Sequence, residues 1–327
     1  MRRSILAVGM LALASCGSGG GNDPGNVAVV PGPTPTPAPT PAPTPTPSPT
    51  PTPTPSDTSV TQFDQLVGTT TLQAANTSTW TERNPPQNLG VNAFGTAIPY
   101  QYNQQTKAIS AIDTGGLPKP VFVAGDLDAT APAGTIRYAK ANGEQLILAQ
   151  PAPGGTGLRW TRFIEHSYTP VGRPTRVIAI TGVPTPVSQI PTSGSVTFTR
   201  SIVVGDAYVL ENSNTVVTRY DLSPSILSAS IDYTTRRISF SLQLIGRAAG
   251  NSETVSIVTF SGTTDFDGST PAVTISSTYY AKDPLFAIAA ALFGTRAAEG
   301  AGVFQYDGTS ADAKSYLRLN GRLAVAN

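Results

Sequence analysis

From residue 57 onward, apolar side chains recur at every second position, a period that a β-strand satisfies and an α-helix does not. Ile238, Phe240, Leu242 and Leu244 share one face of a stretch whose other face carries Ser239, Ser241 and Gln243. Val196, Phe198, Arg200, Ile202 and Val204 repeat the pattern on one face with a single charged interruption, as do Val273, Ile275, Ser277 and Tyr279. Turn chemistry falls between such runs. Thr135 to Lys140 and Glu144 to Ala149 flank Asn142-Gly143, a dipeptide that accepts the positive φ of a tight hairpin. Tyr208 to Leu210 and Val216 to Thr218 flank Glu211-Asn212-Ser213-Asn214, and Asp265-Phe266-Asp267-Gly268 separates two more strands. Leu158 to Ile164 and Arg176 to Ile180 are further strand segments. Strands spaced roughly 10 to 15 residues apart, without amphipathic helices between them, predict an antiparallel sandwich or barrel rather than a parallel α/β sheet. Asp283 to Gly294 fits two templates. It has the cap, early Pro and Ala-rich body of a helix, and it also places Phe286, Ile288, Ala290 and Leu292 on alternate positions.

Ahead of this region the chain is of another kind. Residues 1–15 carry Arg2 and Arg3, then an apolar run from Ile5 to Ala14, which reads as a secretory signal too short to span a bilayer. Leu13-Ala14-Ser15-Cys16 resembles the bacterial lipobox, which implies cleavage before Cys16 and acylation of its thiol; Cys16 is the single Cys of the chain. Gly17 rather than Asp follows it, so the expected destination is the outer membrane. Residues 16–56 then form a linker, and 13 of the 30 Pro lie between Pro31 and Pro55, alternating with Thr, Ala or Ser. Proline at every second position fixes φ and removes amide donors, which predicts an extended polyproline II tether of roughly 80 Å.

Composition narrows the chemistry. The formal net charge is +1, and about −1 once Arg2 and Arg3 leave with the signal, which speaks against a nucleic-acid partner. One His and one Cys exclude His/Cys zinc sites and disulfide frameworks. His166, beside Glu165 at a strand end, is a candidate general base or haem ligand, or else a structurally bonded residue. Asp126-Leu127-Asp128 and Asp265 to Gly268 read first as turn residues, the latter lacking the later carboxylates of a calcium loop. Tyr279-Tyr280 could offer one phenolate to a metal, since neighbouring strand residues face opposite sides. Arg236-Arg237 reads as an exposed pair at a hairpin. No Gly-x-Ser-x-Gly elbow occurs. No catalytic residue, metal site or cofactor is assigned.

A family resemblance enters at the C-terminal end. The stretch from Ala289-Ala290-Ala291-Leu292-Phe293-Gly294 through Ala297-Ala298-Glu299 to Gly302-Val303-Phe304 resembles the closing strands of the eight-stranded barrel in the transferrin-binding protein B family of surface lipoproteins. Ile190 to Phe198 is similar to that family's barrel-opening strand, and Asp232-Tyr233 before Arg236 to Leu244 to one of its hairpins. The chain departs from the family at Ala301, where a Gly is usual, and at Gly300, where a branched apolar residue is usual. It also holds one barrel instead of two lobes, so transferrin binding is not implied. The resemblance favours the strand template for Phe286 to Leu292. It implies an all-β protein with a β-rich handle-like domain over 57–186 and an eight-stranded antiparallel barrel over 187–327.

The expected function is that of a non-enzymatic lipoprotein, anchored in the outer membrane through acylated Cys16 and displayed at the cell surface. Barrel and handle loops would bind a protein or small solute, an iron or haem source among them, with an outer-membrane transporter as a further partner. The alternatives are a structural or adhesion lipoprotein without a nutrient ligand, and display on the periplasmic face.

Overall fold

The computed structural model describes residues 60–83, 86–112, 121–211, 215–278, 285–309 and 316–327. Cys16, the Pro/Thr linker and Tyr279-Tyr280 lie outside these. The described residues belong to one compact unit. Six strands precede residue 123: β1 (Thr69–Leu72), β2 (Ala74–Trp80), β3 (Gln87–Asn92), β4 (Tyr100–Asn103), β5 (Ala108–Ala111) and β6 (Val121–Phe122). Four more follow: β7 (Thr135–Ala139), β8 (Gln145–Ala149), β9 (Thr161–Tyr168) and β10 (Thr175–Gly182). The remainder are β11 (Ser195–Phe198), β12 (Arg200–Glu211), β13 (Thr215–Asp221), β14 (Ile226–Asp232), β15 (Arg237–Ala248), β16 (Thr254–Asp265), β17 (Ala272–Thr278), β18 (Leu285–Phe293), β19 (Glu299–Thr309) and β20 (Tyr316–Ala326). Helical structure among the described residues is limited to three-residue 3-10 turns. The protein is all-β, as the two-residue period predicts, and the Phe286–Leu292 ambiguity resolves as strand.

These strands form three antiparallel sheets: β1-β4-β5-β6, then β3-β2-β10-β9-β8-β7, then a large sheet ordered β11-β14-β15-β13-β12-β20-β19-β18-β17, with β16 on β15. The six-stranded sheet is the middle layer. Ile164, Val177 and Ala179 face a core shared with Phe63, Leu72, Tyr100 and Phe122 of the small sheet. Their neighbours Phe163, Ile178 and Ile180 face the opposite way, into a core shared with Ala289, Phe293, Val303 and Ala324 of the large sheet. Burial on both faces explains why β10 and β18 read as nearly continuous apolar or small-residue runs, as central layers require. The large sheet folds back on itself around a third core that includes Leu242, Leu244, Phe286, Phe304 and Leu319. Phe260 of β16 stacks on Phe286 of β18 with ring centroids 3.9 Å apart, although those strands lie far apart in sheet order.

Two sequence expectations require correction. First, the ring of strands does not close into a barrel: among the described residues β16 pairs with β15 and β17 with β18, and no ladder joins β16 to β17. The chain leaves β16 at Phe266, whose N–H donates to Arg236 O at 3.0 Å and whose ring packs edge-on to Tyr233. That bond extends the β15/β16 ladder by one residue beyond the Arg237/Asp265 pair. Second, Val196 and Val204 do not share a face. Phe198 and Val203 enter the large sheet's core, whereas Ile202 and Val204 pack against the core facing the middle layer. Thr199, between β11 and β12, breaks the alternation, and one residue out of phase exchanges the faces of all that follows.

Candidate functional site

His166 lies within β9, not at its end, and is 1% exposed. Its imidazole stacks on Tyr168 with centroids 4.5 Å apart and meets the rings of Phe122 and Tyr100 edge-on at 5.7 and 6.3 Å. Glu165, one residue away, faces the opposite side of the sheet, where it accepts from Arg176 Nε at 2.8 Å. Histidine and glutamate therefore form no acid–base couple. Asp128 and Asp267 are turn residues, as expected, whereas Asp265 closes β16 opposite Arg237. Asp128 Oδ1 accepts from Thr130 N and Oγ1, and Asp267 accepts from Ser269 N and Oγ, bonds that hold both carboxyls below their ordinary pKa. Of the arginine pair, Arg237 is exposed, but Arg236 is half-buried with its guanidinium over the Phe266 ring at 5.7 Å. Among the described residues, no group of three or more His, Cys, Asp or Glu is placed to hold a metal ion.

The polar residues that the structure does bring together lie where the middle sheet meets the large one. Asp206 of β12 accepts from Arg176 Nη1 at 3.0 Å and from Arg219 Nη2 at 2.8 Å, and Glu165 also meets Arg322 Nη2 at 3.7 Å. Arg176 thus bridges two carboxylates on two sheets. Burial lowers its pKa, but Glu165 and Asp206 outweigh that, so it titrates above its ordinary value. Arg322, deeper in the interface, donates to Ile164 O at 2.9 Å, and burial pushes its pKa down to about 10. At the other end of the same interface, Glu299 accepts from the N–H groups of Arg159, Trp160 and Thr161 and from Thr161 Oγ1. These pairings join the sheets, although Arg322 Nε is buried without a hydrogen-bond partner; sequence reading named Glu165 and Glu299 but none of the pairings, which form only when the two sheets meet.

A concave apolar feature lies on the inner side of the large sheet. A cavity of about 70 Å³ is bounded by side chains of β11, β14, β15, β17, β18, β19 and β20, every one of them apolar or Gly. Gly300 is part of its wall, and a Cβ there would stand 3.0 Å from Val325 Cγ2 and 4.0 Å from Phe198 Cζ. The sequence marked Gly300 as unexpectedly small, but that signal alone does not reveal the space beside it. An enclosure of hydrocarbon, without a hydrogen-bonding group, can retain an apolar guest and has no means of activating one.

Comparison with protein-family models gives no match, and neither does comparison with curated protein sequences. Among solved structures, the chain is similar to transferrin-binding protein B from Haemophilus parasuis Hp5, in a single-substitution variant, with 12% identity over 72% of this chain and 54% of that one and a TM-score of 0.35. It is similar to intact Ap-TbpB with both lobes at 14% identity, 78% and 46% coverage and a TM-score of 0.37. For the isotype 1 protein of serogroup B Neisseria meningitidis the values are 14%, 78%, 43% and 0.38. The chain spans about half the length of these structures.

Proposed function

We propose that this protein is a lipid-anchored envelope lipoprotein that binds a protein or solute ligand without transforming it. The observation that carries this reading is the succession in one chain of a lipobox ending at Cys16, a Pro-rich tether over residues 31–56 and an all-β unit behind it. A long stiff spacer is useful to a domain that meets its partner away from the bilayer. The handle-like division at 57–186, the barrel-like division at 187–327 and surface display belong to the same proposal. An iron or haem source and a transporter partner follow from the sequence resemblance.

Two measurements on cells test it. Labelled palmitate should enter the protein and be lost in Cys16→Ser, and protease added to intact cells should cleave the tether or the domain loops. Protection until the outer membrane is permeabilised, with a periplasmic control behaving alike, would overturn surface capture. The structural or adhesion reading draws support from β16, a twelve-residue strand with Val255, Thr259, Ser261 and Thr263 exposed and no charged residue between Thr254 and Thr264. Ligand recovered with the purified domain would decide against it.

A further inference from the structure

The cavity inside the large sheet carries a more specific inference, which rests on the binding-protein reading above. Three of its wall residues, Ala229 of β14, Phe240 of β15 and Ala290 of β18, face the core and yet remain half-buried, so solvent reaches them. Phe240 and Val273 line it from β15 and β17, the strands before and after β16 in the chain, while β16 contributes no side chain. Phe240 and Val273 thus place the space between β15 and β17, and among the described residues no ladder joins β16 to β17 there. Ala229, Ala290 and Gly300 leave room that larger side chains would fill. Its volume, about 70 Å³, is near five times the roughly 15 Å³ that one water needs, but a water there would find no hydrogen-bonding partner. A core of this kind, apolar throughout and open on one side, favours an apolar occupant over water.

We propose that this cavity binds the end of an unbranched aliphatic chain, the tail of a fatty-acid-like amphiphile whose polar head stays in solvent at the β16/β17 break. The lining selects against charge and hydrogen-bonding groups, since burying either without a partner is unfavourable. It accepts only the terminal methylenes, because the volume is small. Selectivity should accordingly rest on the shape of the chain end, an unbranched terminus over a branched one.

The test is a calorimetric titration of the mature chain carrying Cys16→Ser, so that no acyl group of its own competes, with octanoate, decanoate and dodecanoate below their micelle concentrations. Octanoate already carries enough methylenes to fill the cavity, so the three affinities should agree to within about fourfold, the worth of one buried methylene. Ala229→Leu and Ala290→Leu fill the space from opposite walls; each should weaken dodecanoate binding at least tenfold while the thermal midpoint holds or rises. In wild type, the Ala229 and Ala290 methyl resonances should shift on adding dodecanoate. No saturable binding, unshifted methyl resonances, or unchanged affinity in a folded Leu variant would overturn the proposal. Those results would leave lipid anchoring and surface display standing, and protease protection on intact cells would leave the cavity result standing.

Discussion

Glu299 and Thr161 lie 138 residues apart in sequence and are joined twice: Glu299 Oε2 accepts from Thr161 Oγ1 at 2.8 Å and from Thr161 N at 3.0 Å. Its other oxygen accepts from Arg159 N at 2.6 Å. One carboxylate of the large sheet thus terminates the backbone donors at the start of β9, and the apolar core beneath, with Phe163 and Phe293, depends on that alignment.

Glu299→Ala should destabilise the protein by about 3 kcal/mol, because it leaves three backbone N–H groups and a hydroxyl to find other partners, whereas Glu299→Gln should cost about 1 kcal/mol. Burial raises the Glu299 pKa above its ordinary value, against hydrogen bonds that lower it. The folded state therefore holds the proton more tightly than the unfolded chain. Its contribution is fully present below the ordinary carboxylate pKa and is lost as pH rises through the raised folded value. Urea denaturation at a series of pH values should show that decline in wild type, with the Glu299 component missing in Glu299→Gln. Equal pH profiles for the two proteins would count against this account.

Arg176 holds the two sheets together by charge where Glu299 does so by backbone capping. Arg176→Met should destabilise by about 2 kcal/mol, less than a fully buried pair because the guanidinium side chain keeps 25% of its exposure. A double-mutant cycle with Asp206→Asn should give a coupling energy of about 1 kcal/mol across the interface. Additive effects would mean that Arg219 alone neutralises Asp206.

The strand content was legible in the sequence because a two-residue period is local. Asn142-Gly143 forms the expected hairpin between β7 and β8, with Gly143 at φ 87°. The site was less legible, because its partners come together only in three dimensions. Glu165-His166 looks like a couple along the chain, yet the pleat sends the two side chains into different layers. Thr199 carries no signal of the phase change it makes, and nothing local in Asp265-Phe266-Asp267-Gly268 tells that no ladder joins β16 to β17 among the described residues. Glu299 was visible as part of a small-residue turn; its role depends on three amides supplied by a distant loop.

His166→Ala tests whether the imidazole is structural. Removing a ring packed among Tyr100, Phe122 and Tyr168 should cost about 2–4 kcal/mol. Ligand capture by the variant, measured at a temperature where it remains folded, should match wild type. A loss of capture without a fall in stability would instead place His166 in the binding machinery.

Gly294 ends β18 at φ 76°, and a Cβ there would stand 2.4 Å from two ring carbons of Trp160. Its N–H donates to Val183 O at 3.1 Å, and the Trp160 Nε1 donates to Val60 O at 3.0 Å, so this position joins the large sheet, the segment after β10 and the start of the described chain. Neither the positive φ nor the contact tolerates a methyl group. Gly294→Ala should therefore cost about 2–4 kcal/mol, combining backbone strain with displacement of the indole. Trp160 reports the event directly once Trp80, the other tryptophan, is replaced by Phe. Its emission should move to longer wavelength in Gly294→Ala as the ring is pushed towards solvent. An unchanged emission maximum together with wild-type stability would mean that the indole is not held against this glycine.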